Sequence, residues 1–306
     1  MGNPFPRPGR LWWLFRRDWQ RGWKATFHEY FTLPRIVEWS NPFSGNPASV
    51  PIHLLTGKND WLLAAWMLAS WFHFTGRNWD IVIHDDGTLP ETAATRLRLL
   101  FPAARIVPRR EADTAMDPVL DRFPHCLAYR NSHPLGLKIF DIPQFTAGSR
   151  FAIFDSDLLF FDRPEEIVRW VEDGSEACWF NRDVADSSLI SRQEAAEKLG
   201  IDLWQGVNSG LCLLAKDAID LDFCERCLRE TAITKGHIWR IEQTLFAACA
   251  SRLGRGGMLS PLYEVSLGRH AAPGCVARHY VGAVRNLFYE EGLSRLRSVI
   301  LPSRRT

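Results

Sequence analysis

Two carboxylates separated by one residue are the strongest chemical signal in the sequence. Asp155 and Asp157 enclose Ser156 directly after the apolar residues 151–154, which predict a buried strand ending at this point. Oxygen ligands suit a hard divalent cation, and both carboxylates can reach the same ion. The alternative is a pair of solvated acids or helix caps. The apolar residues 158–161 that follow favour a metal or a cationic partner, because unpaired buried charges cost free energy.

A second polar group lies near the carboxyl terminus, at the end of a predicted strand. His279 is followed by Gly282 and Arg285. A neutral imidazole can complete a metal shell begun by carboxylates, and a glycine lets the backbone approach a ligand closely. The charged guanidinium group of the arginine can donate two hydrogen bonds to phosphate oxygens. Taken alone, this group would be interpreted as a packed histidine and a surface charge.

Four segments in order carry a resemblance to a known family. Residues 152–164 are AIFDSDLLFFDRP, residues 207–214 are VNSGLCLL, residues 242–246 are EQTLF, and residues 279–285 are HYVGAVR. Together they resemble the retaining glycosyltransferases of the GT-A fold, the family of glycogenin and of bacterial lipopolysaccharide galactosyl- and glucosyltransferases. The resemblance covers roughly residues 50–297. The chain departs from the family pattern at Glu242 (Asp in the family), at Arg285 (Lys), at residues 286–287 (Pro-Trp) and at residues 58–61, where the family has Asp-Asn-Tyr.

The resemblance implies an α/β chain with the GT-A fold, a Rossmann-like mixed sheet flanked by helices. It implies a metal-dependent hexosyltransferase that moves a sugar from a nucleotide-diphosphate donor, with a UDP-sugar expected, to a glycan or lipid-linked acceptor with retention. A fixed cation at the leaving diphosphate would favour the transition state over the ground state. We identify no protein nucleophile, since retaining members can react on one face of the sugar without one.

The resemblance also implies roles for individual residues. Asp155, Asp157 and His279 would hold Mn²⁺ or Mg²⁺, and Asn208 and Gln243 would lie near the transferred sugar, completing a catalytic set with the two aspartates. The expected nucleotide contacts are Thr56, Asp60, Asp85 and Asp86 at the base and ribose, Lys138 and Arg285 at the phosphates, and Ser156 and Gly282 beside them.

The sequence is also compatible with two other functions. A phosphohydrolase of the haloacid dehalogenase type also has two aspartates after an apolar strand. However, Leu159 stands where that family has Thr or Val, and the motif lies mid-chain rather than on the first strand. The other alternative is a non-catalytic nucleotide-sugar-binding protein of the same fold. Hydrolysis of an aryl phosphate would favour the first alternative, and lack of donor turnover would favour the second.

Alternating strands and helices are predicted to position these residues. In the first half of the chain the pattern predicts strand 50–56, a helix from residue 59 or 60 to 75, strand 80–84, a helix from Thr88 to Leu100, and strand 104–107. Glu91 has the capping-box position relative to Thr88. This order predicts a parallel sheet, which binds ligands beyond the carboxyl ends of its strands. Later elements are predicted at 135–142 (helix), 151–155 (strand), 164–172 (helix), 210–215 (strand), 219–230 (helix), 242–253 (helix), 276–281 (strand) and 285–297 (helix).

Composition excludes several classes of protein. Of the 306 residues, 46% are hydrophobic and 24% are charged, which excludes a disordered chain. The net charge of +2 gives no reason to expect a nucleic-acid partner. We predict a GT-A domain over 48–298, preceded by an extension over 1–47 rich in Arg and Trp and followed by a basic tail over 299–306.

Cysteine use and hydropathy predict the compartment. The seven cysteines are an odd number without an upstream secretory signal, which favours a reducing compartment. Cys224 and Cys227 are interpreted as neighbours on one helix face rather than as a zinc site. The longest apolar run, residues 61–74, is too short to cross a bilayer. We therefore expect a cytoplasmic protein, with peripheral contact at the inner membrane face as a further interpretation.

The extension has two interpretations. Residues 1–24 hold six basic residues and one acidic residue, with tryptophans interleaved at positions 12, 13, 19 and 23. Residues 10–24 could lie on an anionic membrane surface, with Trp at the level of the headgroups. Alternatively, Trp12, Trp13, Trp19 and Trp23 pack on the domain while the arginines face water, an interpretation that the sequence slightly favours.

Overall fold

The computed structural model describes residues 8–43 and 47–301. Its helices are α1 (Pro8–Arg21), α2 (Trp23–Phe27), α3 (Trp61–Thr75), α4 (Glu91–Leu100), α5 (Arg109–Leu120), α6 (Pro124–Ser132), α7 (Leu135–Gln144), α8 (Glu165–Glu172), α9 (Arg192–Leu199), α10 (Leu221–Glu230), α11 (Ile238–Leu253), α12 (Arg285–Leu287) and α13 (Ser294–Ile300). Its strands are β1 (Ala48–Thr56), β2 (Trp79–Asp85), β3 (Arg105–Val107), β4 (Arg150–Phe154), β5 (Leu158–Phe160), β6 (Cys178–Arg182), β7 (Val207–Ala215), β8 (Gly256–Met258), β9 (Tyr263–Val265) and β10 (Ala277–His279). Short helical turns cover His28–Thr32, Leu33–Glu38, Lys216–Ala218, Ala232–Lys235, Gly282–Val284 and Phe288–Leu293.

A mixed sheet forms the centre of the described part of the chain. Its strand order is β3-β2-β1-β4-β7-β6-β8. Strands β3, β2, β1 and β4 run parallel, whereas β7 runs antiparallel between β4 and β6. All nine residues of β7 are buried, as expected for a strand covered on both faces. This mixed sheet with flanking helices confirms the predicted α/β class.

A small second sheet determines the geometry of the site. It has the strand order β5-β10-β9, and β10 pairs antiparallel with β5. In this register His279 lies opposite Leu158, one residue after Asp157. Antiparallel partners lie about 5 Å apart, so that the pairing carries the histidine from the end of the chain to the aspartates.

The apolar core extends into the amino-terminal residues. Helix α3 is buried on all sides over residues 63–72, and the indole nitrogen of Trp66 donates to the carbonyl oxygen of Leu33 at 3.0 Å. Ile36 and Trp39 belong to the same core cluster. The second half of the predicted extension therefore packs against the domain.

The first half of the extension behaves differently, and one expectation for it is wrong. Trp12, Trp13, Trp19 and Trp23 are 64%, 58%, 79% and 75% exposed, so that they do not pack on the domain. Residues 1–7 lie outside the described residues. Among the residues that are described, no helix is both long enough and apolar enough to cross a membrane.

Several predicted element boundaries also differ. Helix α4 begins at Glu91, not at Thr88, because the backbone NH and the hydroxyl of Thr88 both donate to Oδ1 of Asp86 in a turn. The predicted helix over 285–297 is divided into α12, the turn at Phe288–Leu293 and α13, which continues to Ile300. The predicted basic tail thus overlaps the end of α13, and its residues 302–306 lie outside the described residues. Local sequence patterns did not predict α1, α2, α5, α6, α9, β5, β6, β8 and β9. The seven cysteines are buried and unpaired by disulfides.

Candidate functional site

The two aspartates lie in a tight turn between β4 and β5. The backbone NH of Leu158 donates to the carbonyl oxygen of Asp155 at 3.2 Å, and the NH of Asp155 donates to the carbonyl oxygen of Gly210 on β7 at 2.8 Å. The turn leaves the side chain of Asp155 27% exposed and that of Asp157 6% exposed. Both carboxylates therefore lie at the carboxyl end of a central strand, where open α/β sheets bind ligands.

His279 lies directly against this acidic pair. Its Nε2 is 3.0 Å from Oδ1 of Asp157 and 3.7 Å from Oδ2 of Asp155. Its Nδ1 donates to Oδ1 of Asn208 at 2.8 Å, and the same amide oxygen accepts the NH of Gly210 at 3.0 Å. Asn208 thereby orients the ring so that Nε2 faces the carboxylates. A Cβ on Gly210 would overlap the imidazole, so this position requires glycine.

The three side chains form a set that can hold a divalent cation. One ligand atom from each of Asp155, Asp157 and His279 lies within 4.8 Å of the others. Two carboxylate oxygens and an imidazole nitrogen suit Mn²⁺ and fit Mg²⁺ less closely, because Mg²⁺ prefers oxygen. Burial lowers the pKa of His279, but Asp157 and Asp155 together outweigh burial, so that the pKa lies above its ordinary value. A metal ion and a proton therefore compete for Nε2.

Arg285 supplies a second cation to the aspartates. Its Nε and Nη2 donate to Oδ2 of Asp157 at 3.1 and 2.7 Å, and its Nη1 donates to Oδ1 of Asp60 at 3.3 Å. Burial alone would raise the pKa of Asp157, but His279 and Arg285 lower it well below its usual range. The arginine is 39% exposed and can turn toward a ligand in the cleft.

Lys138 holds the other aspartate from inside the protein. This lysine on α7 is 1% exposed, and its Nζ lies 2.8 Å from Oδ1 of Asp155 and 2.9 Å from Oε1 of Glu242. The hydroxyl of Ser209 donates to the other oxygen of Glu242 at 2.7 Å. Burial raises the pKa of Glu242, whereas Lys138 opposes that rise. The expected phosphate contact Lys138 is thus committed to two carboxylates.

These residues line one cleft of about 620 Å³. Of the predicted site residues, the cleft brings together Lys138, Asp155, Asp157, Asn208, Gln243, His279, Gly282 and Arg285. The predicted contacts Thr56, Asp60, Asp85, Asp86 and Ser156 lie outside this lining, and of these Asp60 reaches it through Arg285.

The predicted base and ribose residues have local partners. Oδ1 of Asp85 accepts the NH groups of Gly87 and Leu89 at 2.8 and 2.9 Å, and Asp86 bonds to Thr88 as described above. Each carboxylate keeps a second oxygen that these bonds do not use. Thr56 is 2% exposed, and its hydroxyl has no hydrogen-bond partner among the described residues.

Part of the cleft wall consists of residues that the sequence patterns did not indicate. Asp183, directly after β6, accepts from Nε2 of Gln243 at 3.2 Å and from the hydroxyl of Ser187 at 3.2 Å. The sequence also left open whether Trp204 and Trp239 stack on an acceptor sugar or are buried, burial being the commoner outcome for tryptophan. Trp239 lines the same cleft and is 54% exposed, whereas Trp204 packs edge-on against Phe180. A prediction of β6 would have drawn attention to Asp183. Glu242 stood within the EQTLF segment but was not assigned to the site.

Comparison of the chain with known proteins identifies solved structures of similar architecture. No family model matches the chain, and no curated protein matches its sequence. Among solved structures, the galactosyltransferase LgtC in complex with donor and acceptor sugar analogues is similar with a TM-score of 0.54 and 14% identity, covering 84% of this chain and 98% of that one. Mouse xyloside xylosyltransferase 1 is similar with a TM-score of 0.52 and 13% identity, covering 77% of this chain and 98% of that one. At these identities the similarity concerns the architecture, and the chain has the GT-A fold of these glycosyltransferases.

Proposed function

We propose that the protein is a metal-dependent glycosyltransferase. It moves a sugar from a nucleotide-diphosphate donor, a UDP-sugar in the first instance, to a glycan or glycolipid acceptor with retention at the anomeric carbon. One observation carries the proposal: Asp155, Asp157 and His279 converge at the carboxyl end of β4, in a cleft of the GT-A fold that also contains Arg285. We further propose that the protein works in the cytoplasm.

The charges of the cleft suit a diphosphate. Asp155, Asp157 and His279 would hold Mn²⁺ or Mg²⁺, and the bound cation supplies positive charge to the leaving diphosphate. When the diphosphate binds, Arg285 releases its hydrogen bonds to Asp157 and donates to the phosphate oxygens instead. Its planar guanidinium group can donate two parallel hydrogen bonds to a phosphate. Apart from its chain neighbours and the backbone of its own helical turn, no described residue has an atom within 4 Å of the position that a Cβ on Gly282 would occupy. The same ligand can therefore approach the backbone of Gly282 through this open space.

Other residues position the reacting groups. Asn208 fixes the ring of His279 through Nδ1, and Lys138 fixes Asp155 from the buried side. Gln243 and Asp183, joined by their hydrogen bond, face the cleft where the transferred sugar would lie. A ligand held in this way can bring its anomeric carbon close to an acceptor hydroxyl, and proximity supplies much of the remaining rate enhancement.

Thermal unfolding with nucleotides tests the donor site. We expect a stabilisation that requires both Mn²⁺ and one nucleotide among UDP, GDP, CMP and dTDP. At about 100 times the dissociation constant it amounts to roughly 2.7 kcal/mol, a shift of a few degrees. Asp157→Asn and His279→Gln should abolish the shift relative to their own baselines, whereas the exposed control Asp162→Asn should keep it. No shift with any pair would contradict the donor site.

Turnover assays separate the three candidate functions. Release of the nucleotide from the matching sugar donor, dependent on Asp157, supports the transferase. Hydrolysis of an aryl phosphate at a comparable rate would instead support the phosphohydrolase. Metal-dependent nucleotide binding without turnover on a panel of glycan and glycolipid acceptors would support the binding protein.

A further inference from the structure

The helical segment after Gly22 has an unusual distribution of apolar residues. One side is buried against the domain through Ala25, His28, Thr32, Leu33 and Ile36, with the spacing of an amphipathic helix. The opposite side would ordinarily be polar. It carries instead Trp23, Phe27 and Phe31, which are 75%, 43% and 65% exposed.

Helix α1 adds a second set of exposed aromatic rings. Trp12, Phe15 and Trp19 line one shallow hollow together with Arg16, and Phe15 and Trp19 stack with ring centroids 6.2 Å apart. We call the exposed rings of both segments the aromatic surface; its members are Trp12, Trp13, Phe15, Trp19, Trp23, Phe27, Tyr30 and Phe31. In the described residues nine large aromatic side chains are exposed, and eight of them belong to this surface. Single exposed apolar residues are ordinary, but such a concentration marks an interaction site.

The charge around the aromatic surface indicates the kind of partner. The guanidinium of Arg16 lies 5.6 Å from the ring of Trp12, and Nζ of Lys24 lies 5.8 Å from the ring of Trp23. Both cations are exposed, and neither forms an ion pair within the described residues. Interleaved tryptophan and basic side chains are typical of helices that lie in the interface of an anionic membrane.

The aromatic surface is firmly connected to the domain. Arg21 binds Glu29 at 2.7 Å, and Arg17 donates to Tyr30 at 3.0 Å, which joins α1 to the segment after it. The guanidinium of Arg21 also lies 5.7 Å from the ring of Tyr289, in the helical turn that follows α12. Helix α12 begins with Arg285, so that Arg285 in the cleft and Tyr289 beside Arg21 lie in consecutive helical segments over residues 285–293.

We propose that the aromatic surface docks the protein onto anionic lipid bilayers. The tryptophan rings insert at the level of the headgroups, while Arg16 and Lys24 bind the negatively charged lipids. Docking through α1 holds the cleft near the membrane. That this arrangement serves a lipid-linked acceptor rests on the proposed function, whereas the docking itself does not.

Vesicle flotation of the full chain tests the docking. We expect binding to vesicles of 70% phosphatidylcholine and 30% phosphatidylglycerol, and much weaker binding to phosphatidylcholine alone. The variant Arg16→Gln/Lys24→Gln should weaken binding to the anionic vesicles by about 30-fold, since each basic residue contributes about 1 kcal/mol. The variant Trp12→Ser/Trp19→Ser/Trp23→Ser should lose flotation. The control Leu99→Ser/Leu267→Ser, which removes two exposed apolar side chains elsewhere, should retain it.

Two further readouts keep the result unambiguous. Brominated lipids should quench the tryptophan fluorescence of the wild type and leave that of the triple variant unchanged. The midpoints of thermal unfolding should match between wild type and variants, because the replaced side chains are exposed. Lack of flotation at low salt, or equal flotation of wild type and triple variant, would overturn the proposal. Self-association that the triple variant abolishes, without vesicle binding, would overturn it in favour of a protein contact. None of these results depends on nucleotide or metal.

Discussion

Lys138 is the residue whose removal should disturb the protein most sharply. Its ammonium group is the nearest cation to two carboxylates, at 2.8 Å from Asp155 and 2.9 Å from Glu242. Burial alone would lower the pKa of Lys138, but the two carboxylates outweigh burial and hold it above its ordinary value. The lysine is therefore charged, and Lys138→Met leaves buried negative charge without its partner.

The magnitude follows from burial. Breaking a buried ion pair by removing one partner costs about 3–5 kcal/mol. In a chain of this size that loss lowers the midpoint of thermal unfolding by roughly 5–8 °C. The matched control is Lys216→Met, because Nζ of Lys216 donates to the carbonyl oxygen of Thr146 at 2.7 Å and forms no ion pair in the described residues. Loss of that bond costs about 1 kcal/mol.

Urea unfolding in EDTA, followed by tryptophan fluorescence, measures both variants. The double variant Lys138→Met/Glu242→Gln should recover about half of the lost stability, since the uncompensated charge on Glu242 disappears and its bond with Ser209 can persist. The reasoning is refuted if Lys138→Met costs no more than Lys216→Met. It is equally refuted if the double variant is less stable than Lys138→Met alone.

Three more predictions follow from individual contacts. Gly210→Ala should displace the ring of His279 and abolish Mn²⁺-dependent stabilisation by nucleotide, and an unchanged shift in thermal unfolding would contradict the close approach. Trp239→Ala should raise the KM for a glycan acceptor roughly tenfold, because the exposed ring lines the cleft and can stack on a sugar. The nucleotide-induced shift in thermal unfolding should not change. Steady-state kinetics that show an altered donor KM instead would contradict a role of Trp239 in acceptor binding. Burial lowers the pKa of His84 to about 3, and burial followed by His84 lowers that of His53, with the two ring nitrogens 2.9 Å apart. The unfolded state therefore binds more protons as the pH falls through about 6.5, and stability should fall with decreasing pH. His84→Gln should reduce the slope of stability against pH between pH 6 and 5 by about 1.2 kcal/mol per pH unit in urea titrations, and an unchanged slope would contradict the neutral pair.

Local sequence patterns were sufficient for the elements nearest the site. The apolar residues before Asp155 predicted β4, and the alternation of strands and helices up to residue 107 predicted the parallel half of the sheet. Helix α4 shows the limit of such patterns. Thr88 and Glu91 have the spacing of a capping box, yet Asp86 takes both donors of Thr88, and the helix starts later.

The partners within the site could not be read from local patterns. In the sequence, Glu242 is only the first residue of the loosely matching EQTLF segment. The fold places it beside Lys138, which lies on a different helix. Asp183 was missed because β6 has little alternation of its own and gains its burial from β7 and β8. The exposure of Trp12 and Trp19 could not be inferred either, because helical spacing is the same for a buried face and an exposed one.

The sequence by itself determined which chemical groups are available and which local elements carry them. It placed two aspartates after a buried strand, a histidine after another and an arginine six residues further, because these depend on short-range periodicity and residue type. Only the tertiary structure decided that they meet. The pairing of β10 with β5 joins His279 to Asp157 across 122 residues, and the burial of α7 and α11 joins Lys138 to Glu242. Such contacts form when distant apolar faces are buried together, which no local pattern specifies.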